Sequence, residues 1–304
     1  MKGCNMARTE ELRSILVPGR ATMIPGAPDP LVAKLAEQAG FQAIYISGAV
    51  TSTSTYGVPD IGLVTMDEMA ARSGQVARAT DLPAIADADT GYGNALNVMR
   101  TIETYEREGV AGVQLEDQEF PKRCGHVQGK QIIAAEEMAG KIRAATKARS
   151  SPDFYIVART DARATLGFDD AVRRGHVYLE AGADAIFPEA LESEDEFARF
   201  ADAFPGVPLI ANMTEFGKTP LIPASSFAAM GYAGVIYPVT VMRGMLFVAR
   251  DLLQELFDSG TQQGWEEQMM TRRELYDLVD YSQWIEHEAQ FVPDGGTPPL
   301  DSGS

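Results

Sequence analysis

Short apolar runs alternate with helix-length segments eight times between residues 21 and 257, and nothing else in the chain restricts its fold as strongly. The runs occupy 21–26, 43–47, 83–89, 112–117, 154–161, 185–189, 208–214 and 234–238. Helical segments follow at 30–39, 66–79, 94–108, 136–148, 169–181, 194–203, 223–230 and 239–257. Thr65 with Glu68, and Ser193 with Glu196, have the spacing of capping boxes. Gly40, Gly109, Gly182 and Gly231 stand where left-handed C-caps are wanted. Runs such as AIYIS, PAIADAD and AIFPEA stay apolar almost to their last residues, as parallel strands covered by helices do. Eight such units predict an α/β fold, a closed (β/α)8 TIM-type barrel spanning the 304 residues as one domain. Residues 258–304 then form a C-terminal extension with one or two further amphipathic helices and a frayed, turn-rich tail. An open doubly wound sheet is the rival, but no GxGxxG follows the first run.

Charge narrows the partners. The formal net charge is −17, which argues against nucleic acid as a general partner, since phosphate backbones demand a basic face. Neither a membrane-spanning apolar run nor a secretory signal is legible. Two cysteines, Cys4 and Cys124, make no disulfide framework, and the cytoplasm is the expected compartment.

In a barrel, chemistry sits at the C-terminal strand ends. Those ends carry Ser47, Asp87, Asp89, Glu116, Asp117, Arg159, Asp161, Glu189, Asn212 and Thr214. Taken singly, each could merely cap the next helix; taken together they predict one polar mouth. Asp87 and Asp89 stand at i and i+2, on one face of a strand. Paired acids repel unless a proton or cation intervenes, and an all-oxygen set favours Mg²⁺, or Mn²⁺, over zinc. Arg159 is placed to bind a carboxylate, and Arg243, in the first turn of the eighth helix, would be explained by a bound anion.

The segment 118–135 is abnormally long for a strand–helix connection and reads as a lid. It carries Lys122, Arg123, Cys124, Gly125 and His126, a local reversal of sign in an acidic chain. Cations near a thiol favour the thiolate, so Cys124 is a candidate nucleophile or proton-transfer group. A solvated basic loop with an incidental cysteine is the bland alternative. Cys4, in an N-terminus expected to be mobile, and His176 and His287 are assigned no chemistry.

KRCGH together with DAD resembles the isocitrate lyase and phosphoenolpyruvate mutase superfamily, and more closely its 2-methylisocitrate lyases. YISG, VPDIG, DADTGYG, QLEDQ, ARTDA, IFPEA, ANMTEFGKTPL, IYPV, TRRELY and DYSQWIEHEAQF extend the resemblance over nearly the whole chain. It implies Mg²⁺-dependent cleavage of the tricarboxylate (2S,3R)-2-methylisocitrate to pyruvate and succinate, within the methylcitrate cycle of propionate catabolism. By motif it implies that Ser47, Gly48 and Ala49 hold the pyruvate end, and that Asp87 and Asp89 hold the metal with Asp60 and Glu116 in its outer shell. It implies Cys124 as the acid–base residue, with Gly125, Arg159, Glu189, Asn212, Thr214, Arg243 and Arg272 lining the substrate site. It also implies a homotetramer with the eighth helix swapped between partners. One departure is visible: the family often has SGGG where this chain has Ser47-Gly48-Ala49-Val50.

Retro-aldol cleavage removes the proton of the 2-hydroxyl and protonates the departing carbanion. Tyr45, at the end of the second strand, is the candidate base, and a metal-linked carboxylate is its competitor. Phe187, Ile236 and Pro238 could accept the substrate methyl. Isocitrate, 2,3-dimethylmalate and oxaloacetate are the alternative substrates, and a non-catalytic barrel used as a scaffold is the alternative from another class.

Overall fold

The structure is a computed structural model that describes residues 2–123 and 131–292, with side chains from residue 7 onward. Helix α1 (Lys2–Ile15) leads into β1 (Thr22–Pro25), α2 (Pro30–Gln38), β2 (Ile44–Ile46) and the single turn α3 (Gly48–Val50), which a π-turn extends through Thr55. Then follow α4 (Met66–Ala77), β3 (Ala84–Asp87), α5 (Ala95–Glu108), β4 (Gly112–Glu116) and α6 (Ala135–Ala148). Next come β5 (Tyr155–Thr160), α7 (Ala162–Thr165), α8 (Phe168–Glu180), β6 (Ala185–Pro188) and α9 (Glu194–Asp202). The series ends with β7 (Ile210–Asn212), α10 (Ala224–Ala229), β8 (Gly234–Tyr237), α11 (Thr240–Ser259), α12 (Arg272–Leu278) and α13 (Tyr281–Ala289).

All strand pairings are parallel. One arc runs β1-β8-β7 and the other β2-β3-β4-β5-β6. Single parallel bridges, Gly26 to Tyr45 and Ile186 to Leu209, join the arcs at both ends and close the ring. Two apolar layers result. Inside the ring, Ile24, Tyr45, Ile85, Tyr155, Phe187 and Ile236 pack together, while between strands and helices lies a larger layer rich in Val, Ile, Ala and Phe. Leu12 and Ile15 of α1, with Leu16 just beyond it, belong to the inner layer. Their burial ties the N-terminal segment, expected to be mobile, to the barrel interior.

Local signals act as the sequence suggests at most helix ends. Thr65 and Glu68 form a complete capping box. Gly109 ends α5 in the left-handed region at φ 93°. At α9 only half the box forms: Ser193 caps Glu196 N, but the Glu196 carboxylate turns to Arg163 and to the Glu192 N–H. His176 of α8 stacks against Phe204, in keeping with a structural place.

The chain forms two compact units, Met1–Met242 and Arg243–Ser304, with the division inside α11. The first unit holds the barrel. The second holds the remainder of α11, a 3-10 turn at Glu266–Gln268, α12 and α13. No side chain of α11 is buried. No helix among the described residues is long and apolar enough to cross a membrane.

Candidate active site

Asp87 ends β3, and its carboxylate is fixed from two sides. Oδ2 accepts the Gly48 N–H at 3.1 Å and Oδ1 accepts the Asp89 N–H at 3.0 Å. Asp89 lies beyond the strand, at φ 46°, so strand alternation does not align it with Asp87; a left-handed turn does. A non-glycine residue held in that region marks a site where the surroundings over-determine the backbone. Gly48 is needed for the approach: a Cβ there would stand 2.8 Å from Asp87 Oδ2.

Lys122 enters this acidic corner from the long β4–α6 segment. Its Nζ lies 2.6 Å from Asp60 Oδ1 and 2.9 Å from Asp89 Oδ1, and the side chain is 4% exposed. Burial opposes the charge, yet Asp89, Asp87, Glu116 and Asp60 outweigh it and hold the ammonium protonated. Burial, helped by Asp87 and Asp60 and countered by Lys122, pushes the Asp89 carboxyl up to about 6. Burial also lifts Glu116 well above the usual carboxylate range, against the pull of Arg159 and Lys122.

Glu116 Oε1 is buried and accepts no hydrogen bond from the described residues, while Asp89 Oδ1 faces the Lys122 ammonium at 2.9 Å. Buried acceptors in this state ask for a cation or water. No three acids or histidines among the described residues converge at ligating distance. Two carboxylates with further acids one shell out is the arrangement a hydrated Mg²⁺ accepts, and the residues fit that ion.

The substrate end lies on the next strands. Arg159 of β5 meets Asp161 in a two-pronged contact, Nε to Oδ2 at 3.0 Å and Nη2 to Oδ1 at 3.1 Å. Its Nη1 lies 3.4 Å from Glu116 Oε2, and Nε lies 3.6 Å from Glu189 Oε2. Asn212 donates to Glu189 at 3.2 Å. Tyr45 donates to Gln114 Oε1 at 2.8 Å, and Gln114 Nε2 reaches Glu116 at 3.5 Å. Burial, with Asp87 and Glu116 nearby, raises the Tyr45 phenol well above its ordinary value. In this arrangement the Tyr45 phenol is protonated and serves as a hydrogen-bond donor to Gln114.

One pocket gathers most of these groups. Of the residues singled out from sequence, Tyr45, Ser47, Ala49, Asp60, Asp87, Glu116, Lys122, Arg123, Arg159, Glu189, Asn212 and Thr214 line it. Phe187, Ile236 and Pro238 form its apolar wall. Gly48 and Asp89 lie directly behind Asp87. Cys124, Gly125 and His126 lie outside the described residues. Arg243, in the first turn of α11, and Arg272, opening α12, belong to the second unit. Sequence reasoning gave no role to Gln114, and it left Asp117 and Asp161 as bare strand-end acids. The stem of the long segment is an antiparallel bridge, Gln118 to Ile132, with Gln118 also clamping the backbone of Arg123.

Comparison with known proteins places the chain in a family. A 2-methylisocitrate lyase of Aeropyrum pernix is 47% identical over 92% of this chain and 89% of its own length. One from Bacillus subtilis is 50% identical over 85% and 84%. A 2,3-dimethylmalate lyase of Eubacterium barkeri is 45% identical over 94% and 99%. Among solved structures, a phosphonopyruvate hydrolase in complex with oxalate and Mg²⁺ superposes with a TM-score of 0.83 at 34% identity, over 93% of this chain and 99% of that one. The family model for phosphoenolpyruvate phosphomutase matches residues 12–257. With that match over most of its length, and with full-length relatives in the same superfamily, the chain belongs to the phosphoenolpyruvate phosphomutase family.

Proposed function

We propose that the protein is a Mg²⁺-dependent carbon–carbon lyase that cleaves (2S,3R)-2-methylisocitrate to pyruvate and succinate, with Mn²⁺ able to replace Mg²⁺. The observation that carries this reading is the joining, in one pocket, of the buried carboxylates of Asp87 and Glu116 with the Arg159 guanidinium, in a chain 47% identical to a 2-methylisocitrate lyase. Asp87 and Asp89 would hold the metal, with Asp60 and Glu116 reaching it through water. The bound ion supplies Lewis-acid stabilisation of negative charge on the substrate's 2-oxygen.

The chain's own groups do the rest. Ser47, Gly48 and Ala49 receive the pyruvate end, and Arg159 holds a carboxylate. Glu116 Oε1, which accepts no hydrogen bond from the described residues, takes the proton of the 2-hydroxyl. Tyr45 stays protonated and orients Gln114 beside that carboxylate. Cys124 delivers a proton to the carbanion that becomes succinate, while Lys122 and Arg123 line the pocket it serves. Phe187, Ile236 and Pro238 accept the methyl group. A single methyl contributes only about 1–3 kcal/mol of discrimination, so slower turnover of isocitrate is expected.

The exposed apolar side chains of α11 support a homotetramer in which this helix packs on a partner copy. Two cysteines without a framework support a cytoplasmic setting. The deciding experiment couples pyruvate release to a dehydrogenase, with methylisocitrate as substrate, with and without EDTA. Chelator-sensitive pyruvate formation is expected; its absence would overturn the assignment. The relative from Eubacterium barkeri favours 2,3-dimethylmalate as the second substrate to try.

A further inference from the structure

Arg159 lies among three carboxylates, but only Asp161 engages it through two parallel hydrogen bonds. A planar guanidinium held by such a fork has its plane and direction fixed, which a single-point charge contact cannot do. Asp161 is fully buried and does not line the pocket. It is itself anchored. Its N–H donates to Asp117 Oδ1 at 2.8 Å, and the preceding Thr160 hydroxyl donates to Asp117 Oδ2 at 2.8 Å.

Asp117 is the keystone beneath. It is also fully buried, and its Oδ2 accepts from the Tyr178 hydroxyl at 2.7 Å and from Arg174 Nη1 at 3.1 Å. Register explains the meeting: Glu116 of β4 faces Arg159 of β5, so the next residues of both strands lie side by side above the ring. Asp117 has a second task. Its carbonyl accepts the Ile133 N–H at 2.9 Å, and Arg174 donates to the Ile133 carbonyl at 2.9 Å. The returning stem of the long β4–α6 segment therefore hangs from the Asp117 backbone carbonyl and from the arginine that holds the Asp117 carboxylate.

We infer that Asp161, backed by Asp117, is a positioning residue that aims Arg159 at a substrate carboxylate. The inference rests on the reading of Arg159 as the carboxylate-binding group. Neither acid touches the pocket, so neither acts on substrate directly. Charge balance alone does not require a fork, since Glu116 and Glu189 already lie within 4 Å of the guanidinium.

The test is chemical rescue. Arg159→Ala should lower kcat/KM for methylisocitrate by about a hundredfold or more. Free guanidinium at millimolar, non-denaturing concentration should restore part of the loss with saturation, because the Asp161 carboxylate offers it the same two-pronged seat. In Arg159→Ala combined with Asp161→Asn, rescue should vanish or need about tenfold more guanidinium. Arg159→Ala with Asp161→Glu covers the case in which the asparagine variant does not fold. It keeps the charge but moves the oxygens by one methylene, and it too should lose saturable rescue. Equal rescue with and without the Asp161→Asn change, or undiminished rescue in the charge-preserving Asp161→Glu background, overturns the positioning role alone. Undiminished turnover by Arg159→Ala would instead overturn the reading of Arg159, and the inference with it.

Discussion

Lys122 and Asp60 meet at 2.6 Å, in a corner where the lysine is all but sealed from water. The same ammonium serves Asp89, so one protein cation stands where four acids, Asp60, Asp87, Asp89 and Glu116, would otherwise repel. Removing one partner of a buried ion pair is costly because the other is left uncompensated. In metal-free protein, Lys122→Met is expected to cost about 3 kcal/mol. Added Mg²⁺ should raise the melting temperature of the variant more than that of the parent, since metal binding stabilises by mass action. Calorimetry in EDTA and in MgCl₂ checks this, and identical shifts in both proteins would count against a shared cation site.

Glu116 and Tyr45 compete for the base. The first has a buried oxygen that accepts no hydrogen bond from the described residues, and the second a phenol held protonated. Glu116→Gln is therefore expected to lower kcat by about 10²–10⁴-fold. Tyr45→Phe should stay within about tenfold of the parent, the loss of one neutral hydrogen bond. Steady-state pyruvate release measures both; the reverse order would return the role to the phenol.

Gly48 gives the clearest steric test. A methyl there would stand 2.8 Å from Asp87 Oδ2 and 3.3 Å from Asp89 Oδ1. Gly48→Ala should push Asp87 aside and weaken divalent binding by about tenfold, the order of one lost charge-assisted hydrogen bond. Mn²⁺ titration followed by electron paramagnetic resonance reads the affinity directly.

Glu196 links pH to stability at a distance from the pocket. The Arg163 fork, at 3.0 and 2.7 Å, holds its carboxyl below the usual range. The unfolded chain therefore binds this proton first as pH falls. The contribution is complete above about pH 4.3 and is lost as pH drops through the lowered folded value. Glu196→Gln should cost about 1 kcal/mol at neutral pH, a figure kept small by partial exposure, and should flatten the acid limb of a urea-midpoint profile.

Helix α11 leaves Leu246, Phe247, Leu253 and Phe257 between 60% and 86% exposed. If these seat on another copy, Leu253→Glu with Phe257→Glu should lower the particle mass in light scattering. An unchanged mass would point to an assembly that does not use this face.

The polar mouth was legible because parallel strands are apolar inside, so acids and arginines at their ends stand out. Contacts between strands were not. Arg159 and Asp161 share a face by simple alternation, but the hold of Asp117 on Asp161 depends on the register of β4 against β5, which local pattern does not reveal. The bond from Tyr45 to Gln114 escaped for the same reason, since the two residues lie two strands apart. Helix α1 escaped notice because its apolar stripe is short, resting on Leu12 and Ile15 with Leu16 just after. Asp89 was assigned to a strand face, whereas a left-handed turn delivers it.

Among the described residues, single bridges join the three-strand and five-strand arcs of the ring. Asp87 and Glu116 end strands of the larger arc, while Asn212 and Ile236 belong to the smaller one. Few ladder bonds thus fix the distance from the acids to the apolar wall; side-chain packing sets it. Substitutions far from the mouth, along those two seams, are where evolution could widen or narrow the cleft for a bulkier or leaner acid while leaving the ionic apparatus untouched.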